Sequence, residues 1–425
     1  MRISSVDAYG TRLKVSTNAC CRGSTHRSGV LRAYRCVNAY ATASGATVAD
    51  ESYDAVVVGA GIIGLATARE LSRRGMRIFL VDKSKQIGSQ TSSRNSEVLH
   101  AGMHYAPNSK KALFCVEGRQ KIVSYCEKKN VNYERVGKII VARDESQMPD
   151  LDAMIQRAER NGVDDLELVS SQQLKEWEKN VRGFAGIWSP STSIVDSKAL
   201  MESFKRDCLR DGRTVLGLGE EVVEISMGSK KQFRVKTKTR TVLTKRVVNA
   251  AGLWAHQLVD RMYDVYDVRG AAPPPLYFAR GMYCGLKRGV SAPFQHLVYP
   301  LPHDGGLGIH FTRDVAGVSK FGPDIEWIED IDYTLDSSRV RAFYEAIREY
   351  WPELRDGFLV PTYTGIRPKL INRDGDTEEP GATSDFVMQT EETHQTPGLV
   401  NLFGFESPGL TSCMAIGVEV ANILE

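Results

Sequence analysis

Hydrophobic positions change rhythm several times along the chain. Ala55-Val56-Val57-Val58 is an unbroken apolar run closed by a glycine, the pattern of a short strand buried on both faces. From Ile62 to Arg74 the apolar residues Leu65, Ala68 and Leu71 recur at helical spacing, with Gly75 as the stop. Arg77 to Val81 reads as a second strand that ends at Asp82. Val247-Val248-Asn249 is a further apolar strand running into small residues, and Thr411 to Leu424 reads as an apolar helix. The middle of the chain differs. Pro149 to Glu178 reads as helical segments, whereas Tyr277 to Leu286, Leu297 to Leu301, Gly306 to Phe311 and Val315 to Phe321 read as strands between Gly and Pro turns. Asp336 to Tyr350 carries Val340, Phe343, Ile347 and Tyr350 near helical spacing, which predicts an amphipathic helix.

Strand, helix and strand in close succession, followed far downstream by similar units, predict an α/β chain. The expected plan is a Rossmann-like, dinucleotide-binding domain with a second, α+β substrate domain built on an antiparallel sheet. The cofactor domain is discontinuous, covering residues 50–130, 185–255 and 365–425. The substrate domain takes 131–184 and 256–364.

Charge sharpens this picture at one end. The 425 residues carry a formal charge of +3, too little for a nucleic-acid binder that depends on neutralising phosphates. Residues 1–49 hold seven basic side chains and one acid, Asp7, so the remainder has 48 basic and 51 acidic residues. Arg-rich, Ser-rich and acid-poor is the composition of an organelle transit peptide, expected to be disordered and to direct the chain to the mitochondrion. Eight cysteines without a C-x-x-C pair make no disulfide framework. No apolar run reaches the length of a membrane span, which leaves peripheral membrane contact open.

Candidate chemistry begins at Gly59-Ala60-Gly61-Ile62-Ile63-Gly64, a G-x-G-x-x-G set between the first strand and the first helix. Gly59 permits a tight turn, Gly61 lets a pyrophosphate approach the backbone, and Gly64 lets helix and sheet pack closely. Asp82, 18 residues after Gly64, stands where an acid accepts hydrogen bonds from a ribose. The motif alone does not choose between NAD and FAD. The polar stretch Ser92-Ser93-Arg94-Asn95 follows soon after the acid, Ala251-Gly252 closes a later strand, and the loop Gly404 to Thr411, with Gly409 and Leu410, leads into the helix from Thr411, whose N-terminus favours negative charge. The glycine motif, the strand end at Ala251-Gly252 and the turn before Thr411 are three distant glycine-bearing strand-to-helix features, which suit a long ligand wrapped by one domain.

From about Tyr53 to the C-terminus the chain resembles the L-2-hydroxyglutarate dehydrogenases of the flavin-dependent D-amino-acid-oxidase-like superfamily. The resemblance rests on the glycine block and on Ser92-Ser93-Arg94-Asn95-Ser96-Glu97-Val98-Leu99-His100-Ala101-Gly102-Met103-His104-Tyr105. It rests further on Gly137 to Ala142, Leu297 to Pro302, Gly306 to Thr312 and Phe321 to Asp324, then on Gly365-Ile366-Arg367-Pro368-Lys369 and Glu406-Ser407-Pro408-Gly409-Leu410-Thr411. It implies FAD as cofactor, a mitochondrial location, and oxidation of L-2-hydroxyglutarate to 2-oxoglutarate. Gly59, Gly61, Gly64, Asp82, Ser92, Ser93, Arg94, Asn95, Val222, Ala251, Gly252, Gly409, Leu410 and Thr411 are the expected cofactor residues. Asp82 replaces the more usual Glu, and the stretch from Leu370 to Pro380 is longer and more charged than the pattern.

That chemistry requires a base for the hydroxyl proton and cations for carboxylates. Histidine suits the first, with a pKa near neutrality. His100, which follows the polar stretch, and His310, at the end of an expected strand, are the candidates. His100 and His104 are four apart, but Gly102 lies between them and no third ligand is near, so no metal site is expected. Arginine suits planar carboxylates; Arg367 and Arg280 are the candidates for the dicarboxylate substrate. The electron acceptor stays open between a quinone and a carrier flavoprotein. The alternative reaction is FAD-dependent oxidation of an amine such as a D-amino acid or sarcosine.

Overall fold

The computed structural model describes residues 51–425 apart from 229–230, 264, 266–270, 302–307 and 376–381; the expected transit segment lies outside these residues. The first apolar run becomes the strand Ala55–Val58, with all four residues buried. It pairs in parallel with Ile78–Asp82 on one side and Val247–Asn249 on the other, Val57 standing opposite Leu80 and Val248. Thr214–Leu218 extends this sheet beyond Ile78–Asp82, and Leu399–Phe403 extends it beyond Val247–Asn249, both in parallel; Val387–Gln389 closes the far edge antiparallel. The six strands come from well-separated stretches of chain. The carboxyl ends of the parallel strands therefore share one edge, where α/β folds bind ligands.

Helix Ile62–Arg73 packs on this sheet together with Gly409–Leu424, which begins two residues earlier than its pattern suggests. A helix that the pattern did not announce, Lys110–Lys129, lies against the C-terminal one. Gly118 is the contact point: a Cβ there would stand 2.2 Å from the Thr411 carbonyl oxygen. A five-stranded sheet, Glu51–Tyr53, Thr241–Thr244, Phe233–Thr237, Val222–Met227 and Met262–Tyr263, is a separate element.

The largest sheet has nine strands. Its long pair, Tyr277–Leu286 and Leu359–Lys369, is antiparallel. So are its other pairings except one, Leu297–Pro300 with Lys138–Ala142, which is parallel. Ala185–Ser189, which the expected boundary at 185 assigns to the cofactor domain, pairs with Lys138–Ala142 in this sheet.

Several middle elements differ from the pattern. The stretch expected to be helical forms helices Met148–Arg160 and Ser171–Trp177 separated by a strand, Glu167–Ser170. Pairing with Ala185–Ser189 and burial of Val169 outweigh local preference there. The strand expected to end at Phe311 starts there, as Phe311–Arg313, after Gly308 has taken a φ of +69°. Val315 to Phe321 is reduced to Ser319–Phe321, because Asp314 accepts hydrogen bonds from the amides of Ala316 and Val318 and holds a turn. The amphipathic helix is Val340–Arg348, preceded by a 3₁₀ turn capped by Asp336.

Candidate active site

Gly59 leaves the first strand with φ +109°. Gly61 is extended and precedes a helix that has no side-chain cap and no acid in its first turn. Its amides are thus left for a ligand, apart from Ile62 N–H, which donates to Ser92 Oγ at 3.0 Å. Gly64 is forced by packing: a Cβ there would lie 1.8 Å from the Gly59 carbonyl oxygen. Asp82 fixes the same loop, accepting from Ala60 N–H at Oδ2 and from Ser84 N–H at Oδ1, both at 2.7 Å.

These groups open into a cavity of about 910 Å³, at the upper end of the range for ligand pockets. Gly59, Gly61, Asp82, Ser92, Arg94 and Asn95 line it. So do Val222, Ala251, Gly252, Gly409, Leu410 and Thr411, which come from three further stretches of chain. Gly64 and Ser93 do not: Gly64 is a packing contact, and the exposed Ser93 donates to the Gln90 carbonyl. Arg94 donates to the Thr364 carbonyl at 3.1 Å and lies over the Tyr333 ring, leaving its buried Nε without a partner. Asn95 organises its own loop through Ser92 O and Glu97 N–H. A cavity with two helix N-termini that lack side-chain caps, a fixed acid and an unpartnered guanidinium N–H matches what a dinucleotide such as FAD requires.

His100, His310 and Arg367 line the same cavity. His310 follows the Gly308 turn, and its Nδ1 is 2.9 Å from the Gly308 carbonyl oxygen. A carbonyl only accepts, so Nδ1 carries the hydrogen and Nε2 is the basic nitrogen. The ring packs at 3.9 Å between centroids against Tyr299. His100 is anchored through its backbone N–H to Thr411 Oγ1, while its buried Nδ1 has no partner. Burial, reinforced by the Lys138 charge, pushes His100 down to about 3 and His310 and His104 well below the ordinary imidazole value. All three are therefore neutral at neutral pH, the form a base requires.

Arg367 lies on the strand Leu359–Lys369 opposite Ala279. It shares a hydrogen bond with the Tyr283 hydroxyl, and among the described residues it has no ion-paired carboxylate. Arg280 is a correction to the sequence reading. Gly281 and Tyr283 line the cavity, whereas Arg280 does not. Its guanidinium pairs instead with Glu326 (2.8 Å) and Asp332 (2.5 Å). Alternation along the strand sends it away from its neighbour Gly281.

Residues not picked out from the sequence also face the cavity: Lys111, Lys369, Glu406, Tyr283 and Tyr299. Lys369 and Glu406 sit inside the recognised blocks, but Lys111 carried no signal, since only the docking of helix Lys110–Lys129 brings it here.

The FAD dependent oxidoreductase family matches residues 54–423. The mitochondrial L-2-hydroxyglutarate dehydrogenase of Arabidopsis thaliana is 40% identical, covering 88% of this chain and 84% of its own length. The L-2-hydroxyglutarate dehydrogenase of Indibacter alkaliphilus is 25% identical over 87% of this chain and 98% of its own. Among solved structures, the dithionite-reduced L-α-glycerophosphate oxidase of Mycoplasma pneumoniae with FAD bound superposes with a TM-score of 0.78 at 24% identity. It covers 88% of this chain and 95% of that one, a likeness of fold.

Proposed function

This chain belongs to the FAD dependent oxidoreductase family, and we propose that it oxidises L-2-hydroxyglutarate to 2-oxoglutarate. FAD is its cofactor, and its reaction class is that of a 2-hydroxy acid dehydrogenase. The observation that carries the substrate reading is the meeting of His310, with Nε2 as its basic nitrogen, and Arg367, without an ion-paired acid among the described residues, in the cavity that the glycine loop enters.

Bound FAD would accept the hydride that leaves the hydroxyl-bearing carbon. Gly59, Gly61, Asp82, Ser92, Arg94 and the N-terminus of helix Gly409–Leu424 would hold it. Arg367 binds the carboxylate beside that carbon with a planar fork. His310 Nε2 takes the hydroxyl proton as the carbonyl forms. His100, lining the same cavity and held neutral by burial, adds a second imidazole beside the reacting group.

Anaerobic bleaching of the flavin absorbance tests the reading. L-2-hydroxyglutarate should bleach it rapidly, and its D-enantiomer and D-alanine should not. No bleaching by L-2-hydroxyglutarate would end the proposal. The mitochondrial location rests on the basic, acid-poor residues 1–49 and on the printed name of the plant relative. Residues 1–49 fused to a fluorescent protein should carry it to mitochondria; a diffuse cytosolic signal would count against that address.

A further inference from the structure

Three charged side chains that the proposed reaction leaves unused meet on the cavity wall. Lys111, in the first turn of helix Lys110–Lys129, and Lys369, the last residue of its strand, both donate to Oε1 of Glu406, at 2.9 and 2.7 Å. Lys111 and Glu406 are buried and Lys369 is half-buried. All three line the cavity that Arg367 enters. Arg367 is also near enough to act on the Glu406 carboxylate, which the two lysines and the arginine, against the opposing effect of burial, draw down to about 2.

The charge count does not close. Glu406 is ionised and balances one lysine, so the trio retains a formal +1 on the cavity wall; the nearby Asp385 carboxylate accepts from the backbone N–H groups of Lys110 and Lys111. A purely structural ion pair needs one cation; a second one, held at the same oxygen and partly withdrawn from water, is a cost unless an anion arrives to share it. Arg367 is a separate cation on the same wall. A ligand with two carboxylates would have a cation for each, whereas a ligand with one would leave the lysine pair without a counter-ion. Arg280, the other arginine suggested by the sequence, is already paired elsewhere.

We infer that Lys111 and Lys369, held together by Glu406, bind the distal carboxylate of the substrate and set the preference for 2-hydroxy dicarboxylates over 2-hydroxy monocarboxylates. The inference rests on the reading of this cavity as a 2-hydroxy acid site. Glu406 is a positioning residue that keeps two ammonium groups on one point of the wall.

The test compares L-2-hydroxyglutarate with L-2-hydroxybutyrate in FAD-loaded wild type, Lys111→Met, Lys369→Met and Lys111→Arg. A charge-assisted hydrogen bond corresponds to about a 10- to 100-fold effect. Each Met variant should lower kcat/KM for the dicarboxylate by about that factor, chiefly through KM, and lower it much less for the monocarboxylate. Lys111→Arg should recover part of the loss. Calorimetric binding of 2-oxoglutarate and 2-oxobutyrate should show the same selective weakening without turnover. Two separate lysines keep the test intact should one Met variant fold poorly. Equal losses on both acids would overturn the inference and leave the reaction class standing. A wild-type enzyme that oxidises neither acid would instead remove the reading on which it rests.

Discussion

Lys138 Nζ lies 3.2 Å from Nε2 of His104, a residue that lines the cavity. Lys138 is fully buried, its ammonium 4.9 Å from the centre of the Tyr299 ring, and among the described residues it has no carboxylate partner. Burial pushes its amine down to about 7, against an ordinary value near 10.4. Between about pH 7 and the ordinary value the unfolded chain binds a proton that the folded chain lacks, so stability rises with pH through that window. The penalty is complete below pH 7. Lys138→Met should flatten this rise and add on the order of a few kcal/mol at neutral pH. Urea unfolding at pH 7 and pH 9.5 measures both, and an unaltered difference between the two would refute the assignment.

The histidines give the opposite end of the pH scale. His100, His104 and His310 are depressed by burial and then by the Lys138 charge. Below about pH 6.5 the unfolded chain takes up protons that the folded one refuses. Stability is therefore full above that value and declines as the solution is acidified. The base is neutral over the same range, so the acid limb of kcat/KM should fall well below the ordinary imidazole pKa. His310→Ala should retain FAD and lose about 10²- to 10⁴-fold in kcat; His100→Ala should also retain FAD and lose turnover. A His310→Ala rate near wild type would move the base to His100.

The parts of this molecule that were legible from sequence are those in which local pattern and chemistry coincide. Ala55–Val58, the glycine loop and Ile62–Arg73 announce themselves because buried parallel strands must be apolar and a phosphate turn must be glycine-rich. Tyr277–Leu286 was legible end to end. The strand Glu167–Ser170 was not, because its partner Ala185–Ser189 decides its conformation. Arg280 and Arg367 look alike in sequence, each next to a glycine or one residue from it. Only the register of the two strands puts Arg367 opposite Ala279 and leaves Arg280 to Glu326 and Asp332. Lys111 belongs to a helix with no motif, so its place beside Glu406 is a product of packing alone.

The separation of the two arginines is itself testable. Arg280→Ala removes the ion pair with Asp332 and one of the two on Glu326, which keeps Arg339, and should lower the thermal midpoint. It should change KM for L-2-hydroxyglutarate by less than about 3-fold, below the ~1.4 kcal/mol that a tenfold change represents. Arg367→Ala should instead raise KM by about 10- to 100-fold, the loss of a charge-assisted carboxylate contact. Thermal melts and initial rates on both variants separate the roles; a larger KM effect from Arg280→Ala would restore it to the substrate.

Gly61 and Gly64 belong to one motif but answer to different constraints. At Gly64 an added Cβ would meet the Gly59 carbonyl oxygen at 1.8 Å, a backbone atom that can move only with the loop. At Gly61 it would meet only Ser92 Oγ, at 3.1 Å, and the backbone there is extended, with φ −73°. Gly64→Ala must therefore strain the protein whether or not cofactor is present, by about 1–3 kcal/mol for an overpacked contact. Gly61→Ala should leave the cofactor-free protein close to wild type in stability and weaken FAD by about tenfold or more, since the group it obstructs is the incoming pyrophosphate. Thermal unfolding of the cofactor-free variants, together with FAD titration followed by fluorescence, distinguishes the two. Equal destabilisation of both cofactor-free variants would show that Gly61, too, is a packing glycine and that the approach of phosphate is not what requires it.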